Sequence, residues 1–166
     1  MRPLRAPWRH AYVTSKEKPQ GCVLCAALQS ADTPESLVVH VAEHCFVVMN
    51  LYAYNSGHVM VSPRRHVGRL QDATPQELAE TMSLLQRLER ILGEAYKPDG
   101  MNVGMNLGRA AGAGVAEHIH MHLVPRWNGD TNFISVVGNT RVLPEDLQQS
   151  TARLRPVFAD LVKKGS

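Results

Sequence analysis

The sequence predicts an α+β protein in which an antiparallel sheet packs against one long amphipathic helix and a C-terminal helix. Three observations lead to this prediction: short β-branched segments separated by turn residues, a helix-start sequence followed by helical periodicity, and one run in which histidines alternate with apolar residues. The chain has 166 residues and contains no repeat or low-complexity segment. We therefore expect a single domain, with an N-terminal arm (1–19), a core (20–127) and a C-terminal extension (128–166).

Five segments have the composition of short strands. Valine and other apolar residues dominate them, and Gly, Pro, Asn and Asp lie between them. The first two are expected to form a hairpin that turns at residues 42–44, and the third follows the turn Asn55-Ser56-Gly57. The predicted strands are 37–40, 45–49, 58–62, 101–107 and 118–125.

Two helices are predicted. Thr74-Pro75-Gln76-Glu77 is a capping box with proline at the first helical position, so a helix begins there and continues to about Tyr96. Its apolar residues recur three and four positions apart and are expected to face the core. A second helical pattern covers residues 144–164, where Pro156 is expected to kink or split the helix. The apolar residues of the first helix are Leu78, Met82, Leu85, Leu88 and Leu92.

The charge distribution excludes some classes of partner. The net charge is only +3, and the lysines and arginines are dispersed. Duplex nucleic acid would favour a dense basic stripe, so a small anionic ligand is the better expectation. No apolar run reaches the roughly 18–20 residues of a membrane span, and no hydrophobic core of signal-peptide length follows Met1. We expect a cytoplasmic protein that binds neither nucleic acid nor a membrane.

The run from His118 to His122 carries three imidazoles at alternate positions. On a strand, the three rings would share one face at intervals of roughly 6.5–7 Å, with Ile119, Met121 and Leu123 buried on the other. A histidine-rich surface can arise without a function, but three rings in register above an apolar face favour a site. Imidazole binds metal ions and also acts as a base, acid or nucleophile near neutral pH.

Two of the three cysteines form the sequence Cys22-Val23-Leu24-Cys25. In a reducing compartment this spacing indicates metal or redox chemistry rather than a structural disulfide. A thioredoxin-like role would need a βαβ unit, which the pattern lacks. With His66 and His118, the two thiolates make the ligand set of a closed tetrahedral zinc site, although His66 alone could equally be a surface histidine.

Coordination of His118 would leave His120 and His122 for chemistry. In an alternative arrangement, all three histidines bind a catalytic metal ion. Residues i and i+4 of a strand lie roughly 13 Å apart, however, which is too far for two Zn–N bonds of about 2 Å unless the strand bends sharply. Cys45 lies in an apolar run and is expected to be a small buried side chain.

The run His118-Ile119-His120-Met121-His122-Leu123-Val124 resembles the motif of the histidine triad (HIT) superfamily of nucleotide hydrolases and transferases. The resemblance covers nearly the whole chain. Less specific motifs, such as those at residues 51–55 and 125–133, resemble those of the bacterial branch that includes diadenosine tetraphosphate phosphorylases. The further elements that stand in the family's order are Asn50, Gly57-His58, Pro63-Arg64-Arg65-His66 and Asn106-Leu107-Gly108.

The resemblance implies a HIT-like fold and the cleavage of dinucleoside polyphosphates through a covalent nucleotidyl-histidine intermediate. His120 would be the nucleophile, and His122 and His58 would flank it, orienting the ring and supplying positive charge or donors at the phosphate. His118, the first residue of the triad, would bind a structural zinc ion together with Cys22, Cys25 and His66. A homodimer whose sheets join across a two-fold axis is also implied.

The same resemblance implies a nucleotide site. Asn50 would contact the ribose, and Asn106 with the amides of the loop 108–114 would hold the α-phosphate. Glycine amides suit this task because no side chain blocks the approach of a phosphate. The implied nucleotide contacts are Asn50, Asn106, Gly108, Gly112, Ala113 and Gly114.

The chain departs from the family at Gly114. Many members carry a polar residue at this position, which can reach the leaving-group side of the phosphate. The sequence leaves open whether inorganic phosphate or water accepts the nucleotide. It also leaves open a nucleoside phosphoramidate hydrolase and a non-catalytic nucleotide-binding partner protein. Arg126, Asn132 and Arg141 are candidate polyphosphate contacts that could equally be ordinary surface residues.

Overall fold

The structure, a computed structural model, describes residues 21–130 and 146–164, without the side chains of 160–164. Within these residues, five strands form one antiparallel sheet in the order β1-β2-β3-β5-β4, accompanied by three α-helices. The strands are β1 (Val38–Val41), β2 (Cys45–Met49), β3 (Val59–Pro63), β4 (Gly100–Met105) and β5 (Met121–Arg126). The helices are α1 (Val23–Gln29), α2 (Pro75–Tyr96) and α3 (Leu147–Lys164).

This architecture confirms the predicted α+β class, the antiparallel sheet and the two predicted helices. The hairpin between β1 and β2 turns at residues 42–44, where the Ala42 amide donates to the Cys45 carbonyl at 2.9 Å. The predicted arm at 1–19 lies outside the described residues, as do residues 131–145 of the predicted extension. No helix in the described part of the chain is long and apolar enough to cross a membrane.

Alternating residues of the strands divide the sheet into two apolar faces. On one face, Val47 and Val59 pack with the buried side chains of α2 and α3. On the other, Phe46 and Met60 pack with Leu24 of α1. The larger cluster therefore lies under the two long helices, and the face covered in part by α1 is the one on which the histidines lie.

Helix α2 begins at the predicted capping box. The Thr74 hydroxyl accepts a hydrogen bond from the Glu77 amide at 3.2 Å, and the Glu77 carboxylate accepts one from the Thr74 amide at 2.8 Å. The predicted core face was partly wrong, because Leu78 is 40% and Met82 56% exposed. They lie on the flank of α2 toward β4, where the described chain provides no covering layer. The apolar residues of α2 that are buried are Leu84, Leu85, Leu88, Ile91 and Leu92.

Helix α3 continues through Pro156 as one element, so the expectation that this proline splits it was wrong. Leu154 and Phe158 are almost fully buried on either side of Pro156, and this packing holds the helix together despite the missing N–H. Arg155 donates to the carbonyls of Val38 at 3.0 Å and Ser36 at 2.6 Å. Helix α3 therefore covers the outer edge of β1.

The strand that carries the histidine row is shorter than predicted. It begins at Met121, so only His122 lies within β5, and His118 and His120 precede it. The reason is Pro63, which ends β3 and has no N–H for a ladder hydrogen bond. Other groups replace the ladder, since the Ser62 hydroxyl donates to the Ile119 carbonyl at 2.9 Å and the Ile119 amide donates to the Val67 carbonyl at 2.8 Å.

An ion pair between a buried carboxylate and a half-exposed guanidinium joins α2 to the segment that follows β3. The Arg65 guanidinium donates to both carboxylate oxygens of Glu77, at 3.0 and 2.9 Å, and Glu77 is only 5% exposed. This pairing lowers the pKa of the Glu77 carboxyl below its ordinary value. A carboxylate with a depressed pKa stabilises the folded state above its unfolded pKa, and the contribution disappears as pH falls through the folded pKa.

We predict that Glu77→Gln lowers the free energy of unfolding at neutral pH by about 1–3 kcal/mol, because it removes charge-assisted hydrogen bonds at a buried position. The difference from the parent protein should shrink at a pH well below the ordinary carboxyl range. Urea unfolding at the two pH values measures both effects. Glu43→Gln, at a side chain that is 82% exposed, is the matched control. An equal deficit for Glu77→Gln at both pH values would contradict the prediction.

Candidate functional site

Neighbouring strands bring the predicted site residues to one face of the sheet. Asn50 follows β2 and His58 precedes β3. The main-chain N–H of Asn50 donates to the main-chain carbonyl of His58 at 3.0 Å. His122 lies in β5, and Gly104 of β4 is its direct partner in the ladder. The site thus runs across the sheet from Asn50 through His58 and His122 to Gly104.

The main chain of His118 fixes the ring of His120. Nδ1 of His120 lies 2.8 Å from the His118 carbonyl oxygen. Because a carbonyl only accepts hydrogen bonds, Nδ1 carries the hydrogen, and Nε2 of the neutral ring keeps its lone pair. The β4–β5 ladder ends at the pair Met105–Met121, and Asn106 and His120 are the next residues beyond that pair. Nε2 of the buried His120 ring can act as a nucleophile or a base.

A second chain of hydrogen bonds fixes the other two rings. The Tyr54 amide donates to Nδ1 of His58 at 3.0 Å, so the hydrogen of the neutral His58 ring is on Nε2. His58 Nε2 lies 2.9 Å from Nδ1 of His122 and donates to it. The neutral ring of His122 consequently carries its hydrogen on Nε2. Asn50 also approaches the His58 ring, with Nδ2 3.4 Å from each ring nitrogen.

Burial determines the charge of His122. Removal from water, and secondarily the neighbouring His120, lower the pKa of His122 to about 4. The rings of His120 and His122 meet edge to face, with centroids 4.8 Å apart. His122 is therefore uncharged at neutral pH in the absence of a ligand and offers a neutral N–H donor. If His122 contacts a phosphate, as the resemblance implies, its neutral ring would supply a hydrogen-bond donor rather than a positive charge.

The four predicted metal ligands lie together. One ligand atom from each residue can be chosen so that all four lie within 4.8 Å of one another. His118 Nδ1 is 3.3 Å from the Cys22 sulfur and 3.5 Å from the Cys25 sulfur, and His66 Nδ1 is 3.4 Å from the Cys25 sulfur. Burial and the neighbouring Cys22 raise the pKa of the Cys25 thiol. The four side chains together can hold a metal ion.

The distances fit tetrahedral coordination. Zn–S bonds of about 2.3 Å and Zn–N bonds of about 2.0–2.1 Å at a tetrahedral angle would put sulfur and nitrogen about 3.6 Å apart. The opposite nitrogen of His118, Nε2, donates to the Pro63 carbonyl at 2.9 Å, which leaves Nδ1 free of hydrogen. Burial also lowers the pKa of His118 and so favours the neutral ring, which is the form that binds metal.

The cysteine pair lies at the start of α1, with Cys22 as the N-cap residue. The strand that follows, β1, pairs antiparallel with β2. The described residues around the pair therefore do not form the βαβ unit that a thioredoxin-like role requires, as predicted. The third cysteine, Cys45, is fully buried as expected, and burial raises the pKa of its thiol to about 11.

The loop 108–114 has a specific internal structure. The Ala111 and Ala113 amides donate to the Gly108 carbonyl, and the Gly112 amide donates to the Arg109 carbonyl. In this conformation, three of the amides expected to hold a phosphate are satisfied within the loop. Positive φ values at Gly108 and Gly112 allow this tight turn. A Cβ on Gly112 would lie 3.9 Å from Nδ2 of Asn106, so the loop packs beside that side chain.

Sequence reasoning assigned no role to Tyr54, which contributes both main chain and ring to the site. Its ring centroid lies 4.7 Å from that of His58 and 6.0 Å from that of His122. The only signal was its position four residues before His58. Gly57 was predicted only as the end of the turn that precedes β3. Its φ is +74°, and a Cβ there would meet the Tyr96 ring at 3.0 Å, so glycine is needed to enter the site from the preceding turn.

Arg126 makes structural contacts at the far end of β5. Its guanidinium donates to both carboxylate oxygens of Asp130, at 2.6 and 2.7 Å, and to Asn102 Oδ1 at 2.7 Å. Asn55 Nδ2 donates to the same carboxylate at 2.8 Å. The other two candidate polyphosphate contacts, Asn132 and Arg141, lie outside the described residues.

Comparison with known sequences adds independent information. A family model described as "HIT domain" matches residues 32–129. An AP-4-A phosphorylase of Mycobacterium tuberculosis is 48% identical over 120 residues, which are 72% of this chain and 61% of that protein. This chain thus spans about three fifths of the length of that relative. A bis(5'-adenosyl)-triphosphatase of Dictyostelium discoideum is 30% identical over 133 residues, covering 76% of this chain and 88% of that protein.

Solved structures agree with these sequence matches. A Zn-bound histidine triad family protein from Mycobacterium smegmatis superimposes with a TM-score of 0.68 and is 31% identical. The alignment covers 87% of this chain and 97% of that one.

Proposed function

Because the chain belongs to the HIT domain family, we propose that it cleaves dinucleoside polyphosphates by nucleotidyl transfer through a covalent intermediate on His120. The observation that carries this proposal is the hydrogen bond from Nδ1 of His120 to the His118 carbonyl, which leaves a lone pair on Nε2. The similarity to an AP-4-A phosphorylase and to a bis(5'-adenosyl)-triphosphatase supports the substrate class.

In the proposed first step, the lone pair of His120 Nε2 forms a bond to the α-phosphorus. The bond from phosphorus to the bridging oxygen breaks, and its electron pair stays on that oxygen. His122 Nε2 donates a hydrogen bond to the departing oxygen, and His58 keeps His122 in the tautomer that can do so. Donors fixed before the reaction are effective because they need not reorganise during it.

In the proposed second step, an oxygen of inorganic phosphate attacks the same phosphorus, and the electron pair of the N–P bond returns to Nε2. Diadenosine tetraphosphate would release ATP in the first step and ADP in the second. The 48% identity to an AP-4-A phosphorylase favours phosphate over water as the acceptor.

We assign the nucleotide contacts as follows. Asn50 binds the ribose, because it lies next to His58 on the side away from His122 and β4. Asn106 binds the α-phosphate, because Asn106 and His120 both lie one residue beyond the last pair of the β4–β5 ladder, Met105–Met121. Gly108, Gly112, Ala113 and Gly114 form a loop of small residues that lets the phosphate approach.

We predict that His120→Gly abolishes the turnover of diadenosine tetraphosphate while nucleotide binding survives, because it removes only the nucleophile. Products are separated by chromatography with and without inorganic phosphate, and binding is measured by calorimetry. The parent protein should give ADP plus ATP only when phosphate is present. Formation of AMP plus ATP without phosphate would identify water as the acceptor, and equal turnover by His120→Gly would contradict the covalent mechanism.

We also propose that Cys22, Cys25, His66 and His118 bind one structural zinc ion. The ion would cross-link three parts of the chain: the start of α1, the segment after β3 and the residues that precede β5. Because His118 would be a ligand and its carbonyl holds His120, these four side chains support the site without touching the substrate. The thiolate ligands also agree with the cytoplasmic location that we propose, where thiols stay reduced.

We predict about one zinc ion per chain by elemental analysis. Cys22→Ser should lose the ion and melt at a lower temperature, because metal-binding free energy contributes to folding. His120→Asn, which leaves all four ligands in place, should keep the ion and serves as the control. A Cys22→Ser protein with unchanged melting temperature and metal content would contradict a structural site.

The final part of the proposal is a homodimer formed through β4. Among the described strands, β1 and β4 are the edges of the sheet, and α3 covers β1 through Arg155. Val103 of β4 and Met82 of α2 are both 56% exposed and border one groove. A strand edge flanked by exposed apolar side chains suits a second copy of the same strand.

We predict that Val103→Glu weakens the dimer by roughly tenfold or more, because it places a charge in the apolar interface. Val41→Glu changes a residue that is 40% exposed in the covered edge strand β1 and should leave the dimer intact. Sedimentation equilibrium measures both dissociation constants. A parent protein that is monomeric at all concentrations, or equal effects of the two substitutions, would contradict this interface.

A further inference from the structure

Tyr54 lies between β2 and β3, and its ring packs against two histidines of the site. The Tyr54 ring centroid is 4.7 Å from that of His58 and 6.0 Å from that of His122, with the ring planes inclined by 38° and 27°. The centroids of His58 and His122 are themselves 5.1 Å apart. The three rings therefore form one cluster, in which the Tyr54 ring contacts both partners of the His58–His122 hydrogen bond.

The hydrogen-bond chain through these rings tolerates only a neutral His122. The main-chain N–H of Tyr54 donates to Nδ1 of His58 at 3.0 Å, so His58 must donate from Nε2. His122 must accept that hydrogen bond at Nδ1, 2.9 Å away. Protonation of His122 would place a second hydrogen at Nδ1 and oppose two N–H groups. Anything that protonates His122 therefore breaks the chain.

The surroundings of His122 keep it neutral by excluding water. Its partners in the sheet are Met60 of β3, which is apolar, and Gly104 of β4, which has no side chain. The neighbours that the described residues provide include no carboxylate to stabilise a protonated ring. Burial is accordingly the main reason why the pKa of His122 falls to about 4. The titratable groups that contact its ring belong to Tyr54, His58 and His120.

The Tyr54 ring lies on the outer side of the histidine pair. In the described part of the chain, Tyr54 is 44% exposed, whereas His58 is fully buried. An aromatic ring covers a large area and stacks on flat neighbours. The Tyr54 ring therefore keeps water from the two imidazoles and limits the rotation of both.

We propose that Tyr54 is a positioning residue for the proposed reaction, because its ring covers the His58–His122 hydrogen bond and keeps the Nε2 hydrogen of His122 available to the departing oxygen. The inference rests on the proposed function and deepens it. Tyr54 acts through His122 and does not touch the substrate. A donor whose hydrogen and orientation are fixed before the reaction stabilises developing charge without reorganising.

The test removes the ring and keeps the main-chain donor. In Tyr54→Ala, the pKa of His122, followed by NMR of its ring nitrogens, should rise by at least about one unit toward the ordinary histidine value of about 6.5. The pH profile of kcat/KM for diadenosine tetraphosphate, with inorganic phosphate present, should gain an acid limb at the same pKa, because kcat/KM reports the free enzyme. At a pH equal to the raised pKa, kcat/KM should be about twofold below its plateau at higher pH.

Two variants serve as controls. Tyr54→Phe keeps the ring and should match the parent protein in both the pKa of His122 and the pH profile. Tyr52→Ala removes the same kind of ring two residues earlier and should leave the pKa of His122 unchanged. If Tyr54→Ala does not fold in a thermal melt, Tyr54→Leu, which fills the space only in part, should raise the pKa of His122 by a smaller amount and decides the question.

The other outcomes overturn the inference. An unchanged pKa of His122 in Tyr54→Ala, or an equal rise in Tyr54→Phe or Tyr52→Ala, would show that the Tyr54 ring does not protect the pair. A loss of kcat/KM by the same factor at every pH would show that Tyr54 binds the substrate instead, while the nucleotidyl-transfer function stands. If the parent protein turns over no dinucleoside polyphosphate, the proposed function fails and the positioning role fails with it, whereas the pKa of His122 still decides whether the ring covers the pair.

Discussion

The hydrogen bond between Nδ1 of His120 and the carbonyl of His118 is the constraint on which the proposed chemistry depends. A neutral imidazole has one hydrogen and one lone pair, and either nitrogen can carry the hydrogen. An acceptor fixed at 2.8 Å from Nδ1 removes that freedom and leaves Nε2 as the reactive atom. The choice is made by the main chain, so it depends on how firmly the segment 118–120 is held.

That segment is held from both sides by groups other than a strand ladder. The Ser62 hydroxyl and the Val67 carbonyl bind the main chain of Ile119, and the Pro63 carbonyl binds the ring of His118. On the other side of the His118 ring lies the cysteine pair. His118 thus joins the two centres, because its ring faces the candidate metal ligands Cys22 and Cys25 and its carbonyl fixes the ring of His120.

Much of this arrangement could be predicted from the sequence. The capping box at Thr74 and the Cys/His set are local or compositional patterns, and the structure has the capping hydrogen bonds and the close Cys/His group that they implied. The alternation of the histidines with apolar residues predicted a strand in that part of the chain, although only His122 of the three histidines lies in β5. Strand β2 has the predicted bounds, since both of its faces are apolar and turns flank it. The four metal-binding candidates came from chemistry alone and lie within 4.8 Å of one another.

The errors have a common physical cause, which is that they depend on neighbours distant in sequence. The histidine row starts before β5 because Pro63, more than fifty residues earlier, cannot complete the ladder. Leu78 and Met82 have the helical period of core residues, but the sheet gives them no layer to pack against. Pro156 does not break α3 because Leu154 and Phe158 are buried beside it. The role of Tyr54 could not be predicted for the same reason, because it depends on the packing of its ring against the rings of His58 and His122.

The most direct test of the account is the tautomer of His120 in the zinc-loaded protein, measured by two-dimensional ¹H–¹⁵N NMR of the imidazole nitrogens at neutral pH. The account predicts that the neutral ring carries its hydrogen on Nδ1 and that Nε2 gives the signal of an unprotonated nitrogen. A hydrogen on Nε2 would contradict it, because the atom proposed to attack phosphorus would then have no lone pair to use.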